Sequence, residues 1–193
     1  MFLFSNDIRL FGKPHGRGRT GTGQSIWDIK RQIGFVLYFS RHLTVRDVVY
    51  TGLTDTLVVP RTITPNYVAD ALSLLTYFDM DMCIDRQFGS LSAGQQRLVL
   101  LCRALLKCPP VLILDEPFQC LDTAQVARAQ HLLDNLPNDT TLLFVTHYTH
   151  EIPAAVTQFL RLEKGKVYHG VTQRKIALCN SVVNLTNSPY PPD

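Results

Sequence analysis

No run of lysine or arginine stands out in this chain, and no apolar stretch reaches the length of a bilayer crossing. The first absence argues against a nucleic-acid surface, which needs clustered cations; the formal net charge is only +3. Lys13, His15, Arg17 and Arg19 are interleaved with glycine and read as a solvated loop. The second absence leaves no transmembrane helix, for which roughly 20 apolar residues are needed. The longest apolar stretch, Leu98 to Leu106, is broken by Arg103. Phe2-Leu3-Phe4 is too short for a secretory signal and runs straight into Asn6 and Asp7. The five cysteines (Cys83, Cys102, Cys108, Cys120, Cys179) form no C-x-x-C pair and no zinc spacing. Their odd number and apolar settings predict reduced thiols in a cytosolic protein, where the N-x-[ST] matches at Asn138 and Asn184 carry no weight. There is no internal repeat.

What is present is enough for one globular domain: 193 residues, 46% of them hydrophobic. Ile8 to Phe11 reads as a short strand and Gly12 to Gly23 as a loop. Ser25 would cap a short helix through Trp27. Ile33 to Val36 reads as a buried strand. Residues 40–89 read as mostly helical, with Val45, Val48 and Val49, then Val68, Ala71, Leu72 and Leu75, at helical spacing. Ser92 and Gln95 form an S-x-x-Q capping box that opens a helix. Leu98, Leu101, Cys102 and Leu105 keep its apolar face until Pro109-Pro110. Val111 to Leu114 and Leu142 to Val145 are continuous apolar runs of the kind found in parallel strands covered on both faces. Between them Asp122 and Gln125 repeat the capping pattern and open a helix running to about Leu136. Strand, helix, strand predicts a parallel crossover. Phe159–Leu162 and Lys166–Tyr168 around Gly165 read as a hairpin, and 180–193 as a disordered tail rich in Asn, Ser and Pro.

The two apolar strands carry polar groups at their carboxyl ends: Asp115 and Glu116 on the first, Thr146 and His147 on the second. Ligands bind at that edge of an open parallel sheet, so these residues are predicted to meet in one crevice. His147 and His150 make an H-x-x-H, but no carboxylate or cysteine completes a zinc set with them.

The ordered strings Leu91-Ser92-Ala93-Gly94-Gln95, Val111-Leu112-Ile113-Leu114-Asp115-Glu116-Pro117, Leu121-Asp122 and Val145-Thr146-His147 resemble the ATP-binding cassette (ABC) family. They correspond in turn to its signature motif, Walker B strand with adjacent glutamate, D-loop and switch histidine. The resemblance implies an α/β fold of the P-loop NTPase type: a mostly parallel sheet flanked by helices, with a helical subdomain. It covers about Asp7 to Gly170, with the helical subdomain at about 40–107, the Walker B and switch part at about 108–170, and a C-terminal tail at 171–193. It implies that Asp115 holds Mg²⁺, which one carboxylate suffices to bind, and that Glu116 orients and deprotonates the attacking water. His147 would donate to the terminal phosphate of ATP. Ser92, Gly94 and Gln95 would offer a helix N-terminus to a nucleotide held by another cassette, and Asp122 would lie at the same interface. The implied partners are a second ABC domain, as a homo- or heterodimer, and a transmembrane permease subunit. That would make a cytoplasmic protein, peripheral on the inner face of the membrane.

The pattern departs from the family at its front. G-x-x-x-x-G-K-[ST] is absent. Gly18 to Ser25 reproduces the glycine spacing, but Gln24 stands where lysine should reach the phosphates and the segment lies too close to the Ile33–Val36 strand, so it reads as a surface loop before the Trp27 helix. Tyr38 lies near the place of the Q-loop glutamine. Ala93 replaces a glycine in the signature. The chain thus resembles a cassette entered partway, N-terminally truncated. Ile26-Trp27-Asp28-Ile29-Lys30 and Asp115-Glu116-Pro117-Phe118-Gln119 make it similar to the molybdate-transport/photorepair type, which carries two cassettes in one chain. The expected activity is ATP hydrolysis; the alternative is a silent subunit or fragment supplying the signature motif to an intact partner.

Overall fold

The computed structural model describes residues 9–10, 13–14, 33–34, 42–56, 58–164, 166–171 and 182–185. The expected Trp27 helix, the Gly18–Ser25 segment and Tyr38 lie outside them. The chain divides into two units, Met1–Lys30 and Arg31–Asp193. In the first, β1 (Arg9–Leu10) pairs antiparallel with β2 (Lys13–Pro14). Two residues of the expected loop are therefore strand, because Leu10 and Lys13 stand opposite each other across a short connection.

The second unit is built on a six-stranded sheet. Its parallel part runs from β3 (Ile33–Gly34) through β4 (Val111–Asp115) to β5 (Thr141–Thr146). Beyond β5 the pairing turns antiparallel. The hairpin β6 (Gln158–Glu163) and β7 (Lys166–Val171) pairs Glu163 with Lys166. Its loop begins at Lys164, which adopts a φ of 49°, the left-handed form that tight hairpins need. Between β5 and β6 lies β8 (Val182–Leu185), antiparallel to both. That segment was expected to be disordered. Its Val182-Val183 pair suits a pleated surface, and it covers edges that β5 and β6 would otherwise present.

Among the described residues four helices accompany the sheet: α1 (Val45–Tyr50), α2 (Pro65–Tyr77), α3 (Ala93–Leu105) and α4 (Thr123–Asp134). Both expected capping boxes are present. The Gln95 N–H donates to Ser92 Oγ at 3.2 Å, and the Ser92 N–H donates to Gln95 Oε1 at 3.1 Å. At α4 the Gln125 N–H donates to Asp122 Oδ1 at 2.8 Å, with the return bond at 3.2 Å. A third box, Thr44 with Asp47, opens α1.

One core collects Val45, Val48 and Val49 of α1, Leu98, Leu101 and Cys102 of α3, Ala129 and Leu133 of α4, and Leu112, Leu114, Leu142 and Phe144 of the strands. The two faces of these strands are buried to different degrees. Leu112, Leu114, Leu142 and Phe144 are buried, while Val111, Ile113, Leu143 and Val145 are half-buried, because successive side chains point to opposite faces and only one face meets this core. On α2 the expected apolar stripe splits as well: Ala71 and Leu75 are buried, Val68 and Leu72 exposed. Helical spacing marks which residues share a side, not how much of that side is covered.

A polar knot fixes the end of α3. Arg103 is fully buried; its Nε donates to Thr51 Oγ1 at 3.1 Å, and its guanidinium lies 3.7 Å from the Asp55 carboxylate. Lys107 pairs with the same carboxylate. Desolvation lowers the Arg103 guanidinium to about 10 and the Lys107 ammonium to about 8. Gly52 belongs to this knot, since a Cβ there would stand 2.2 Å from the Arg103 carbonyl oxygen.

Candidate functional site

The site begins with strand register. Asp115 pairs with Val145 across the β4–β5 ladder. One step further, the Glu116 N–H donates to the Val145 carbonyl at 2.9 Å. The carboxyl ends of two parallel strands are thereby aligned, and Glu116 and His147 leave them side by side. His147 Nε2 lies 2.6 Å from Glu116 Oε1. A carboxylate can only accept, so the imidazole donates. The pair is open to water, with the side chains 52% and 37% exposed, so it can meet a soluble ligand. Asp115 is exposed beside it. Of the three residues predicted to share a rim, Glu116 and His147 are in contact, and Asp115 is the last residue of β4 just before them.

Glu116 reaches this position at a φ of 44°, in the left-handed region that side chains other than glycine seldom occupy. Pro117 and Phe118 then dive inward, and the Phe118 ring meets Phe144 of β5 at 5.2 Å between centroids. Cys120 takes a φ of 69° before Asp122 caps α4.

The start of α3 backs onto this loop. A Cβ at Gly94 would stand 2.6 Å from the Cys120 carbonyl oxygen, so only glycine lets the helix and the loop approach so closely. Arg97 fastens the same junction by donating to Gln119 Oε1 at 3.1 Å. Gly94 is buried, whereas Ser92 is exposed and Gln95 half-buried. Ser92, Gly94 and Gln95 thus form the head of α3, and Asp122 the head of α4, with the Glu116–Asp122 loop joining the two groups.

One residue of this region went unforeseen in the sequence. Glu151 is buried, and Thr146 Oγ1 donates to its Oε2 at 2.5 Å. The Tyr148 N–H donates to Thr146 Oγ1 at 3.1 Å. Nothing in spacing or composition marks Glu151, which lies in a turn between His150 and Ile152. The ring of His150 lies tilted against that of Tyr148, 5.6 Å between centroids.

Among the described residues no group of three or more His, Cys, Asp or Glu side chains could hold a metal ion by itself. A cation at Asp115 would therefore complete its shell with water and ligand oxygens. That donor set fits Mg²⁺, which keeps several waters and takes one or two carboxylates plus phosphate oxygens. No helix among the described residues is long and apolar enough to cross a membrane.

Comparison with known proteins places these features in context. A family model described as ABC transporter matches residues 5–119. The chain is 38% identical over 177 residues to the ABC transporter ATP-binding protein ModF of Escherichia coli, covering 87% of this chain and 35% of that protein. It is 33% identical over 171 residues to an uncharacterized ABC transporter ATP-binding protein of Schizosaccharomyces pombe, covering 86% of this chain and 34% of that one. The sulfate/thiosulfate import ATP-binding protein CysA of Thermosynechococcus vestitus is 36% identical over 155 residues, with 78% and 44% covered. The chain thus spans about a third of the length of the first two relatives. Among solved structures, the ATP binding subunit of an ABC transporter superposes with a TM-score of 0.65 at 20% identity, covering 79% of this chain and 68% of that one. A nucleotide-free ATP-binding cassette from an ABC transporter gives 0.61 at 19% identity, with 80% and 67% covered.

Proposed function

Because this chain belongs to the ABC transporter ATP-binding family, we propose that it contributes to a site where MgATP is bound between two cassettes and hydrolysed. The contact of Glu116 with His147 at 2.6 Å, on adjacent carboxyl strand ends, is the observation that carries this reading. Glu116 takes the proton of the attacking water; geometry suits it, since its carboxylate is open to solvent and already oriented by a hydrogen bond. In the structure His147 Nε2–H holds that carboxylate; with ligand bound, the same N–H would leave Glu116 and donate to oxygen where charge develops. Asp115 would hold Mg²⁺, which when bound neutralises phosphate charge. The α3 head, with its unpaired N–H groups and dipole, faces an anion held by the other cassette. Asp122 keeps α4 and the intervening loop in place at that interface. The assembly's turnover would drive a permease, placing the chain on the cytoplasmic face of a membrane through that partner.

Because G-x-x-x-x-G-K-[ST] is absent here and the chain by itself is expected to hydrolyse ATP poorly, the test is phosphate release with MgATP by the full chain mixed with an added ABC ATP-binding subunit, at rising concentration of both. Release should climb faster than linearly, as a two-cassette site requires, and Glu116→Gln should lower it by about 10²–10⁴-fold with MgATP binding retained. Release that is the same in both proteins would overturn hydrolysis at this site.

A second reading has support in the sequence, which lacks G-x-x-x-x-G-K-[ST]. There the chain is silent and lends Ser92 and Gly94 to an active cassette. In that case Ser92→Arg lowers the release of an added ABC ATP-binding subunit, while Glu116→Gln does not.

A further inference from the structure

We propose that Thr146 and Glu151 are positioning residues for His147, forming a buried brace that keeps its imidazole on Glu116. The proposal rests on the reading of His147 given above. The starting point is an imbalance. His147 is half open to water, and an exposed side chain on a strand-end turn samples several rotamers and backbone states. A 2.6 Å contact with Glu116 needs one of them.

The residues on either side of His147 supply the constraint. Thr146 is 1% exposed and points inward, as the alternation along β5 requires. Its hydroxyl is used twice. It accepts from the Tyr148 N–H at 3.1 Å and donates to Glu151 Oε2 at 2.5 Å. The first bond closes the backbone around His147 from the following residue. The second ties that closure to a carboxylate that is itself only 8% exposed. Such a charge-assisted bond in a water-poor setting is short and strong, and leaving either group unpaired is costly. Thr146 adds a β-branched side chain with few χ1 choices.

Glu151 is anchored in turn. It ends a 3-10 turn, Thr149–Glu151, which α4 grips where Gln130 Nε2 donates to the His150 carbonyl at 2.8 Å. Just beyond, the Ala155 N–H donates to Asp134 Oδ1 at 2.9 Å. A continuous path therefore leads from α4 through the turn to Glu151, Thr146 and the backbone of His147. The other member of the contact is held from the same strand, by the Glu116 N–H on the Val145 carbonyl. Both partners are thus set by β5, and Glu151 reaches only one of them.

The experiment is NMR on the full chain, following the cross-peaks between the His147 ring and the Glu116 side chain. Phe118–Phe144 cross-peaks report the fold, because those rings pack behind the loop. Thr146→Val keeps the shape and removes the hydroxyl; Glu151→Ala removes the acceptor; Thr146→Ser restores the hydroxyl. The expected result is loss of the His147–Glu116 peaks in the first two variants and their return in Thr146→Ser, with the Phe118–Phe144 peaks present throughout. Persistence of the His147–Glu116 peaks in Thr146→Val and Glu151→Ala overturns the brace. So does unfolding of both variants, since that makes the pair a structural support only.

Phosphate release separates this proposal from the function it rests on. Thr146→Val should cut kcat about ten-fold with KM held, as for a displaced group, and the cut should vanish in a His147→Ala background. An equal cut in that background overturns the brace. If Glu116→Gln changes nothing while the NMR result holds, the hydrolysis reading fails and the brace stands.

Discussion

Leaving β4, the chain turns through Glu116 at a φ of 44° and Cys120 at 69°, with Gly94 pressed against the Cys120 carbonyl. Leaving β5, it turns around a threonine hydroxyl shared between the Tyr148 N–H and a buried Glu151. The first turn is shaped by backbone conformation and by the absence of a side chain on its neighbour. The second is shaped by side-chain hydrogen bonds taken out of water. The two partners of one 2.6 Å contact therefore respond to different kinds of substitution. A methyl group in the wrong place disturbs the first, and a missing hydroxyl disturbs the second.

The largest expected effect on stability falls on the β5 side. Thr146→Val orphans the Tyr148 N–H and a buried carboxylate together, and should cost about 3 kcal/mol, since each such group costs ~1–3. Urea unfolding with an unchanged m-value reads this directly. A change below a few tenths of a kcal/mol would show that the hydroxyl is replaced by water and that the two turns are held alike. Next comes Gly94→Ala on the β4 side. Its new Cβ, 2.6 Å from the Cys120 carbonyl oxygen, forces the head of α3 off the loop and should cost about 2 kcal/mol. Neutral behaviour there would mean that the loop yields freely.

Gln119→Ala is milder. It removes an exposed acceptor from Arg97, so a loss of about 0.5–1 kcal/mol is expected in the same unfolding measurement. The smallest effect concerns reactivity rather than stability. Cys120 lies exposed on the β4 loop, while Cys102 is buried in α3, where desolvation pushes its thiol up to about 12, against a smaller lowering from a backbone hydrogen bond. Alkylation of the folded chain at mildly alkaline pH, read by mass spectrometry, should modify Cys120 and spare Cys102. Equal modification would show that the α3 core opens as readily as the loop.

The part of the fold governed by local chemistry was legible in the sequence. Ser92 with Gln95 and Asp122 with Gln125 announce helix starts because the bonds close within four residues. Val45, Val48 and Val49 share a side of one helix and are all buried. Asp115, Glu116 and His147 were placed together because parallel strands deliver their ends to a common edge, and the Glu116–His147 contact shows that convergence. What escaped depends on partners distant in the chain. Val68 and Leu72 satisfy helical spacing yet stay exposed, since period cannot say whether a neighbour arrives. Val182–Leu185 finds its place only between β5 and β6, within a segment whose composition suggests disorder. Glu151 reads as an ordinary surface charge until Thr146 is seen to turn inward. Gly94 reads as one letter of a motif, and its packing against the Cys120 carbonyl adds a structural reason for the missing side chain.

The left-handed backbone at Glu116 has a consequence for how variants at that position should be read. A side chain there carries a conformational cost of about 1–2 kcal/mol that glycine escapes, offset by glycine's greater freedom when unfolded, about 0.5–1 kcal/mol. Glu116→Gly should therefore fold at least as firmly as the parent while lacking the carboxylate. Screens that select for robust expression or heat resistance would enrich chemically inert forms at this position.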